Sequence, residues 1–374
     1  MKTIRITGLI ILLSQSLIAA DESPDIIAQQ KQISIDGVYQ SWSIGDSSKI
    51  SEFSIPISIY YPINRRFSVG AFLSQASTSG EFLGSSLQKL NGISDAQFSL
   101  NYQLEDQNIL LSISGGLPIG KKELSSDEFA TSVMLSQSEF NFQVPLFGQG
   151  LNLSPGFTWA KPLNEKTVLG LGASYQLKGG YLPLKGMTEN YKPGDEILLT
   201  GGLDYQLSEI AALSFDLTVN FYGKDKVGSQ EVYKSGTKIM AATQYKKYFG
   251  YDLFWWFGRF RSRSKSDIYN SLGNTSLKTQ RDELESIGMF RKRMNPKTSL
   301  TYTLEARYFL KTDMVGSGSA YQGGAGILPE TQVSPNTRLQ GRIKLFYGKE
   351  NSMGADGETL FGFEIGAGIV YTFQ

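Results

Sequence analysis

FEIGAGIVYTFQ, residues 363–374, closes the chain. Phe363, Ile365, Ala367, Ile369, Tyr371 and Phe373 alternate with Glu364, Gly366, Gly368, Val370 and Thr372, the two-residue period of a β-strand with one apolar face. A last strand is ordinarily an edge, and an apolar edge left open templates aggregation. Some other segment must therefore pair with it.

The same period runs through the whole chain. In SDAQFSLNYQL (94–104) Ala96, Phe98, Leu100, Tyr102 and Leu104 interleave with Asp95, Gln97, Ser99, Asn101 and Gln103. ALSFDLTVNFY (212–222) and SLTYTLEARYFL (299–310) repeat the pattern. Alternation alone also suits a half-buried soluble sheet. Length separates the two cases: these segments run roughly 10 to 14 residues, enough for a tilted strand to cross a bilayer, whereas soluble strands cluster near five or six.

The connections alternate in kind as well. Short turns at 62–66, 105–108, 162–166, 207–211, 294–299 and 334–337 lie between longer loops at 77–93, 120–147, 179–194, 223–233, 266–281 and 349–358. Short turns at one rim and long loops at the other predict an all-β fold, a transmembrane antiparallel up-and-down β-barrel with periplasmic turns and extracellular loops. The expected strands are 31–44, 51–62, 67–77, 94–104, 109–119, 148–161, 167–178, 195–207, 212–222, 234–245, 251–265, 282–293, 299–311, 319–333, 338–348 and 359–373, which makes sixteen. The glycines and Pro329 of 319–333 make it the weakest member, and if it and a neighbour are loop the number is fourteen. In a closed barrel the last strand pairs with the first, and no backbone edge is left bare.

Aromatic residues bunch at strand ends. Tyr61, Phe67, Tyr102, Trp159, Tyr205, Tyr245, Tyr302 and Tyr371 flank short turns or the C-terminus, and Tyr175, Phe221, Tyr308 and Tyr347 flank long loops, the two girdles expected at two interfaces. A helical bundle is excluded, because outside the N-terminus the longest aromatic-apolar run, 248–258, falls short of the ~20 residues a spanning helix needs.

Residues 1–20 have a basic start at Lys2 and Arg5, an apolar run from Gly8 to Leu13, and small residues at Ala19 and Ala20, which predicts a secretory signal peptide. A short periplasmic segment, 21–30, then leads into a barrel over 31–374, in the outer membrane of a Gram-negative-type bacterium. With 36 basic and 35 acidic residues, the net charge of +1 gives no bulk attraction to nucleic acid. Cysteine and histidine are both absent, which removes disulfides, thiolate and imidazole metal sites, Ser-His-Asp triads and histidine bases. No paired acidic motif stands out, so neither an enzyme nor a cofactor is expected.

GLPIGKK (116–122), preceded by ISDAQFSLNYQL (93–104), resembles the outer-membrane family of meta-pathway phenol-degradation proteins, akin to FadL-type hydrocarbon and fatty-acid transporters. Leu117-Pro118-Ile119-Gly120 stands where that family has Leu-Pro-Thr-Gly, and the later FGQGLNLSPGFTWAKPL and VLGLGASYQLKGGY are similar to its next hairpin. The likeness covers about residues 90–220. It implies passage of small organic compounds and brings no catalytic residues.

A barrel of this size encloses a lumen, and its inward residues decide what passes. Arg259, Arg261 and Arg263 share one strand face, followed by Arg291, Arg293, Arg307, Arg338, Arg342 and Lys344, so one wall is expected to be basic. Asp95, Glu196, Asp204 and Asp216 would line the opposite wall. Loop 120–147, with Lys121, Lys122, Glu123, Asp127, Glu128 and Glu139, is long enough to fold inward as a constriction. An arginine wall favours anions. Equally, basic residues near the barrel ends could only contact lipopolysaccharide phosphates or snorkel at the interface. Tyr371 and Phe373 resemble an aromatic C-terminal signal for the barrel-assembly machinery, although Gln374 follows them. The expected function is a channel for passive diffusion of small solutes; a FadL-like carrier of hydrophobic compounds and an occluded structural or adhesive barrel are the rivals.

Overall fold

The computed structural model describes residues 30–46, 48–82, 85–87, 89–104, 108–271, 273–314, 318–351 and 357–373. The expected signal peptide and nearly all of the short segment after it lie outside the described residues.

Sixteen strands form the wall: β1 (Lys31–Ile44), β2 (Ser48–Pro62), β3 (Phe67–Phe82), β4 (Ala96–Leu104), β5 (Ile109–Leu117), β6 (Asn152–Asn164), β7 (Thr167–Lys178) and β8 (Glu196–Ser208) in the first half. The second half comprises β9 (Ala211–Tyr222), β10 (Lys238–Phe249), β11 (Asp252–Arg263), β12 (Glu283–Asn295), β13 (Thr298–Phe309), β14 (Ala320–Ser334), β15 (Thr337–Glu350) and β16 (Glu358–Phe373). Each pairs antiparallel with its sequence neighbours. β16 closes the ring on β1 in an unbroken register from Lys31↔Phe373 to Ile44↔Leu360. The terminal strand thus has partners on both sides, and no edge remains.

Alternation sorts the side chains. Leu213, Phe215, Leu217 and Phe221 of β9 are exposed, while Asp216, Thr218 and Asn220 between them are buried. Leu304 of β13 is 69% exposed, and Ile343, Leu345, Ile365 and Ile369 likewise face outward. An apolar belt of this extent all round the wall has no solvent but lipid. Tyr61, Tyr102, Tyr205, Tyr302 and Tyr371 lie exposed near the short-turn rim, and Tyr175, Phe221, Tyr308 and Tyr347 near the long-loop rim.

Three features go beyond the sequence expectations. First, the connection between β1 and β2 at the long-loop rim is itself a tight turn, with Gly45 at φ 55. Second, segments 191–192, 224–227, 230–234, 266–270 and 273–277 from three outer loops join into a five-stranded sheet above the rim. Third, the connection between β5 and β6 carries α1 (Ser126–Leu135), the one helix among the described residues. Its start is a capping box: the Ser125 hydroxyl accepts from the Glu128 amide at 3.2 Å, and the Glu128 carboxylate accepts from the Ser125 amide at 3.0 Å. That Ser-x-x-Glu spacing was the available sequence signal for the helix.

The expected strand 319–333 is present as β14. Pro329 has no amide hydrogen to give, and the ladder to β15 runs to Ile327↔Ile343 before resuming at Glu330↔Gln340.

Candidate functional site

The β5–β6 connection turns into the barrel. Its exit and entry are held by one carboxylate: Asp95 accepts the Gly120 amide at 2.9 Å and the Gln149 amide at 2.7 Å. Asp95, expected on an acidic wall, is therefore the clamp at the base of this loop. Further along, Gln40 of β1 accepts from the Gln143 amide at 3.0 Å and donates to the Asn141 carbonyl at 3.3 Å. Glu52 of β2 accepts from the Val144 amide at 3.0 Å. A loop lacking strand or helix partners must satisfy its backbone somewhere, and here the inward side chains of the wall do it.

Apolar packing completes the seat. Leu135, Phe140, Phe142, Val144 and Phe147 of the loop form one buried cluster with Trp42, Ile44, Ile50, Ala76 and Leu360 of the wall. Phe140 is 0% exposed, and Trp42 lies between Phe140, at 5.6 Å, and Phe346, stacked at 5.2 Å. Near the loop tip, Glu139 pairs with Arg281, which also holds Glu350 of β15 at 2.5 Å. Burial raises the Glu139 carboxyl above the ordinary carboxylate range, with Arg281 opposing.

The charged candidates within this loop are used unevenly. Glu128 is buried at the helix start, ion-paired with Lys121, and burial is outweighed by that partner so that its carboxyl is held below the usual range. Lys122 is half-buried, and Glu123 and Asp127 are exposed.

The basic candidates occupy inward positions on β11 to β15, but they do not form a bare positive wall. Arg259 contacts Glu285 at 2.7 Å and Glu283 at 3.5 Å, Arg261 pairs with Glu283, and Arg307 meets Glu285 at 2.8 Å. The register explains this: Arg259↔Glu285 and Arg261↔Glu283 are directly opposed across β11–β12, and Glu285↔Arg307 across β12–β13. Lys344 reaches Glu305 at 2.5 Å, and Arg342 lies 3.6 Å from Asp36 and 3.7 Å from Glu364. The Lys344–Glu305 and Arg342–Asp36 contacts each cross an intervening strand, which needs room. A Cβ at Gly326 would lie 2.6 Å from Lys344 Cγ, and one at Gly368 only 1.9 Å from an Asp36 carboxylate oxygen. Glycine at both positions opens the lane.

Arg263 stacks over the Tyr222 ring at 4.7 Å and donates to its hydroxyl at 3.2 Å. Toward the short-turn mouth, Arg338 faces Glu330 at 3.6 Å, Arg291 is half-buried, and Arg293 is exposed over Tyr251 at 4.8 Å. Of the acidic candidates, Glu196 pairs with Lys178 at 3.2 Å, while Asp204 and Asp216 lie on the inward faces of the adjacent strands β8 and β9. Sequence reasoning missed Asp36, Glu283, Glu285 and Glu364 as partners. Glu283 and Glu285 repeat at spacing two, as Arg259 and Arg261 do, and that was the only signal.

Among the described residues no three His, Cys, Asp or Glu side chains cluster to hold an ion. Tyr371 and Phe373 lie at the end of β16, their rings 4.9 Å apart in an edge contact.

No protein-family model matches the chain, and no curated protein matches it. The resemblance to the phenol-degradation and FadL-type families gains no support there. Solved structures align with most of the chain at low identity. OprD of Pseudomonas aeruginosa aligns at 8% identity over 92% of this chain and 95% of that one, with a TM-score of 0.46. OpdL of the same organism aligns at 10% identity over 92% and 99%, with a TM-score of 0.46. A loop L8 deletion mutant of OmpT, an outer membrane protein of Vibrio cholerae, aligns at 10% identity over 91% and 98%, with a TM-score of 0.39.

Proposed function

We propose that the protein is an outer-membrane channel for passive diffusion of small polar solutes, with only weak ion selectivity. The observation that carries this reading is the charge ladder on β11 to β13. Its arginines keep access to solvent, with side chains 17% exposed at Arg259 and 25% at Arg261, yet each is matched by a glutamate. An accessible polar wall suits a water-filled passage, and a balanced one exerts little net field on a passing ion. The anion preference suggested by the arginines alone is accordingly expected to be small. A FadL-like carrier would need an apolar internal pocket, whereas the inward face of β11 to β13 carries ion pairs and the apolar patch of Trp42, Ile44 and Ile50 is covered by the seated loop. Passage of this kind involves no catalytic step. Lipid around the belt and the solute itself are the partners required; insertion by the barrel-assembly machinery through the Tyr371 and Phe373 end belongs to the same proposal.

Reconstitution of the purified chain in planar bilayers tests it. Stepwise currents with a reversal potential near zero in a salt gradient are expected. Arg259→Ala with Arg261→Ala removes both arginines from Glu283 and leaves Glu285 with Arg307 alone, and the reversal potential should move toward cations. The seated loop favours one second reading, an occluded barrel whose outer loops bind a partner. A silent parent that conducts once residues 122–146 are replaced by a short linker would select that reading instead.

A further inference from the structure

Where the sheet of outer loops rises from β8 and β9, the outer side of the wall holds a cavity of about 560 Å³. Its lower part is apolar and aromatic, formed by the outward side chains of Tyr175, Ile197 and Phe221, which belong to the lipid-facing belt. Its upper part carries Lys192, Lys224 and Lys226. Lys192 and Lys226 are directly opposed across the short ladder between 191–192 and 224–227, and both are exposed. Directly opposed residues share a face, and like charges so placed destabilise the pair unless an anion lies between them.

The nearby carboxylates do not fully relieve this. Asp195 is occupied by the Tyr175 hydroxyl at 3.0 Å and the Lys178 amide at 3.0 Å. Glu231 is taken by Lys224 at 2.6 Å, although it also stands opposite Lys226 in the neighbouring ladder. Three ammonium groups against two engaged carboxylates leave a net positive site. It sits one step above an apolar surface, at the rim where acyl chains meet headgroups.

We propose that this cavity binds an anionic lipid of the outer leaflet carrying a phosphate monoester on its headgroup. The phosphate bridges Lys192 and Lys226, and an acyl chain lies over Phe221, Ile197 and the Tyr175 ring. Chemistry alone would also admit free phosphate, so the experiment must separate the two. The inference rests on the membrane-spanning barrel and not on channel activity, so a silent bilayer would leave it standing.

Full-length protein in neutral detergent micelles is titrated with fluorescent phosphorylated lipid A, with dephosphorylated lipid A and with inorganic phosphate. The expected result is saturable binding of the phosphorylated lipid, weakened about thirtyfold in Lys192→Gln/Lys226→Gln, from roughly one charge contribution per lysine. Lys297→Gln, at the opposite rim, should bind like the parent. Heat-modifiable gel migration confirms that each variant is folded. Equal binding by the double variant, or equal binding of the dephosphorylated lipid, overturns the proposal. Inorganic phosphate competing at concentrations comparable to the lipid overturns the lipid assignment in favour of a soluble anion.

Discussion

The wall made by β16, β1, β2 and β3 and the wall made by β11, β12 and β13 obey the same alternation, yet their inward faces differ: the first combines an apolar patch with polar groups that hold the loop, and the second carries a ladder of charge. On the first, Trp42, Ile44, Ile50 and Leu360 are buried and apolar beneath the loop. On the second, Arg259, Arg261, Glu283, Glu285 and Arg307 form a ladder of ion pairs. Period two fixes which residues point inward; what they meet there fixes their character. A segment covering the wall calls for packing, whereas an uncovered wall calls for charge that is neutralised rung by rung.

Each prediction breaks one side of that contrast. The largest effect is expected from replacing loop residues 122–146 by a short glycine linker, which removes the cover from the first wall. Single-channel conductance should rise about twofold or more, because the lumen of a barrel this wide is set by what fills it. An unchanged conductance would mean the loop does not restrict the passage. Next comes Phe140→Ala, which empties the centre of the cluster. It should cost about 3 to 5 kcal/mol if the seat is as rigid as a soluble core, read as a lower midpoint of heat-modifiable gel migration.

On the charged wall, Arg307→Ala leaves Glu285 with Arg259 alone, and a loss of about 2 kcal/mol is expected in the same assay, since a buried carboxylate then loses one of its two cationic partners. Gly326→Val probes the lane across β14. Its side chain would collide with Lys344 Cγ and with Thr303 Oγ1, which lies 2.8 Å from the Cβ position, and displace Lys344 from Glu305. A smaller loss, about 1 to 2 kcal/mol, should follow.

The smallest effect concerns Glu139. Its carboxyl is raised by burial, so the native loop holds that proton more tightly than an unfolded chain does. The stabilising contribution is thus fully present below the ordinary carboxylate range and is lost as pH rises through the raised value. Thermal midpoints of the parent and Glu139→Gln, compared at about pH 5 and pH 8, should show a weaker pH dependence in the variant. A steeper one would put the titration elsewhere.

How much of this was legible follows from the same physics. Strand positions were, because lipid imposes one strict period: 31–44 and 167–178 match the observed strands end for end. The seat of the loop was not. Leu135, Phe140 and Phe142 show no period, and their partners Trp42 and Ile44 lie in a strand whose alternation says which face they share, not what covers it. The arginines were legible as a face, but their neutralisation depended on cross-strand register, which brings Glu283 opposite Arg261 only once the long loop between them is closed. Glu128 looked like a free lining charge because its capping role required a helix that strand periodicity does not announce.

The account depends most on the loop sitting inside the barrel against β1. The chain contains no cysteine, so Gln40→Cys with Gln143→Cys introduces a single possible bridge. The account predicts that this bridge forms in lipid without reductant and leaves the single-channel conductance unchanged, because the loop is already seated. Failure of the two thiols to join, or a fall in conductance when they do, would contradict it.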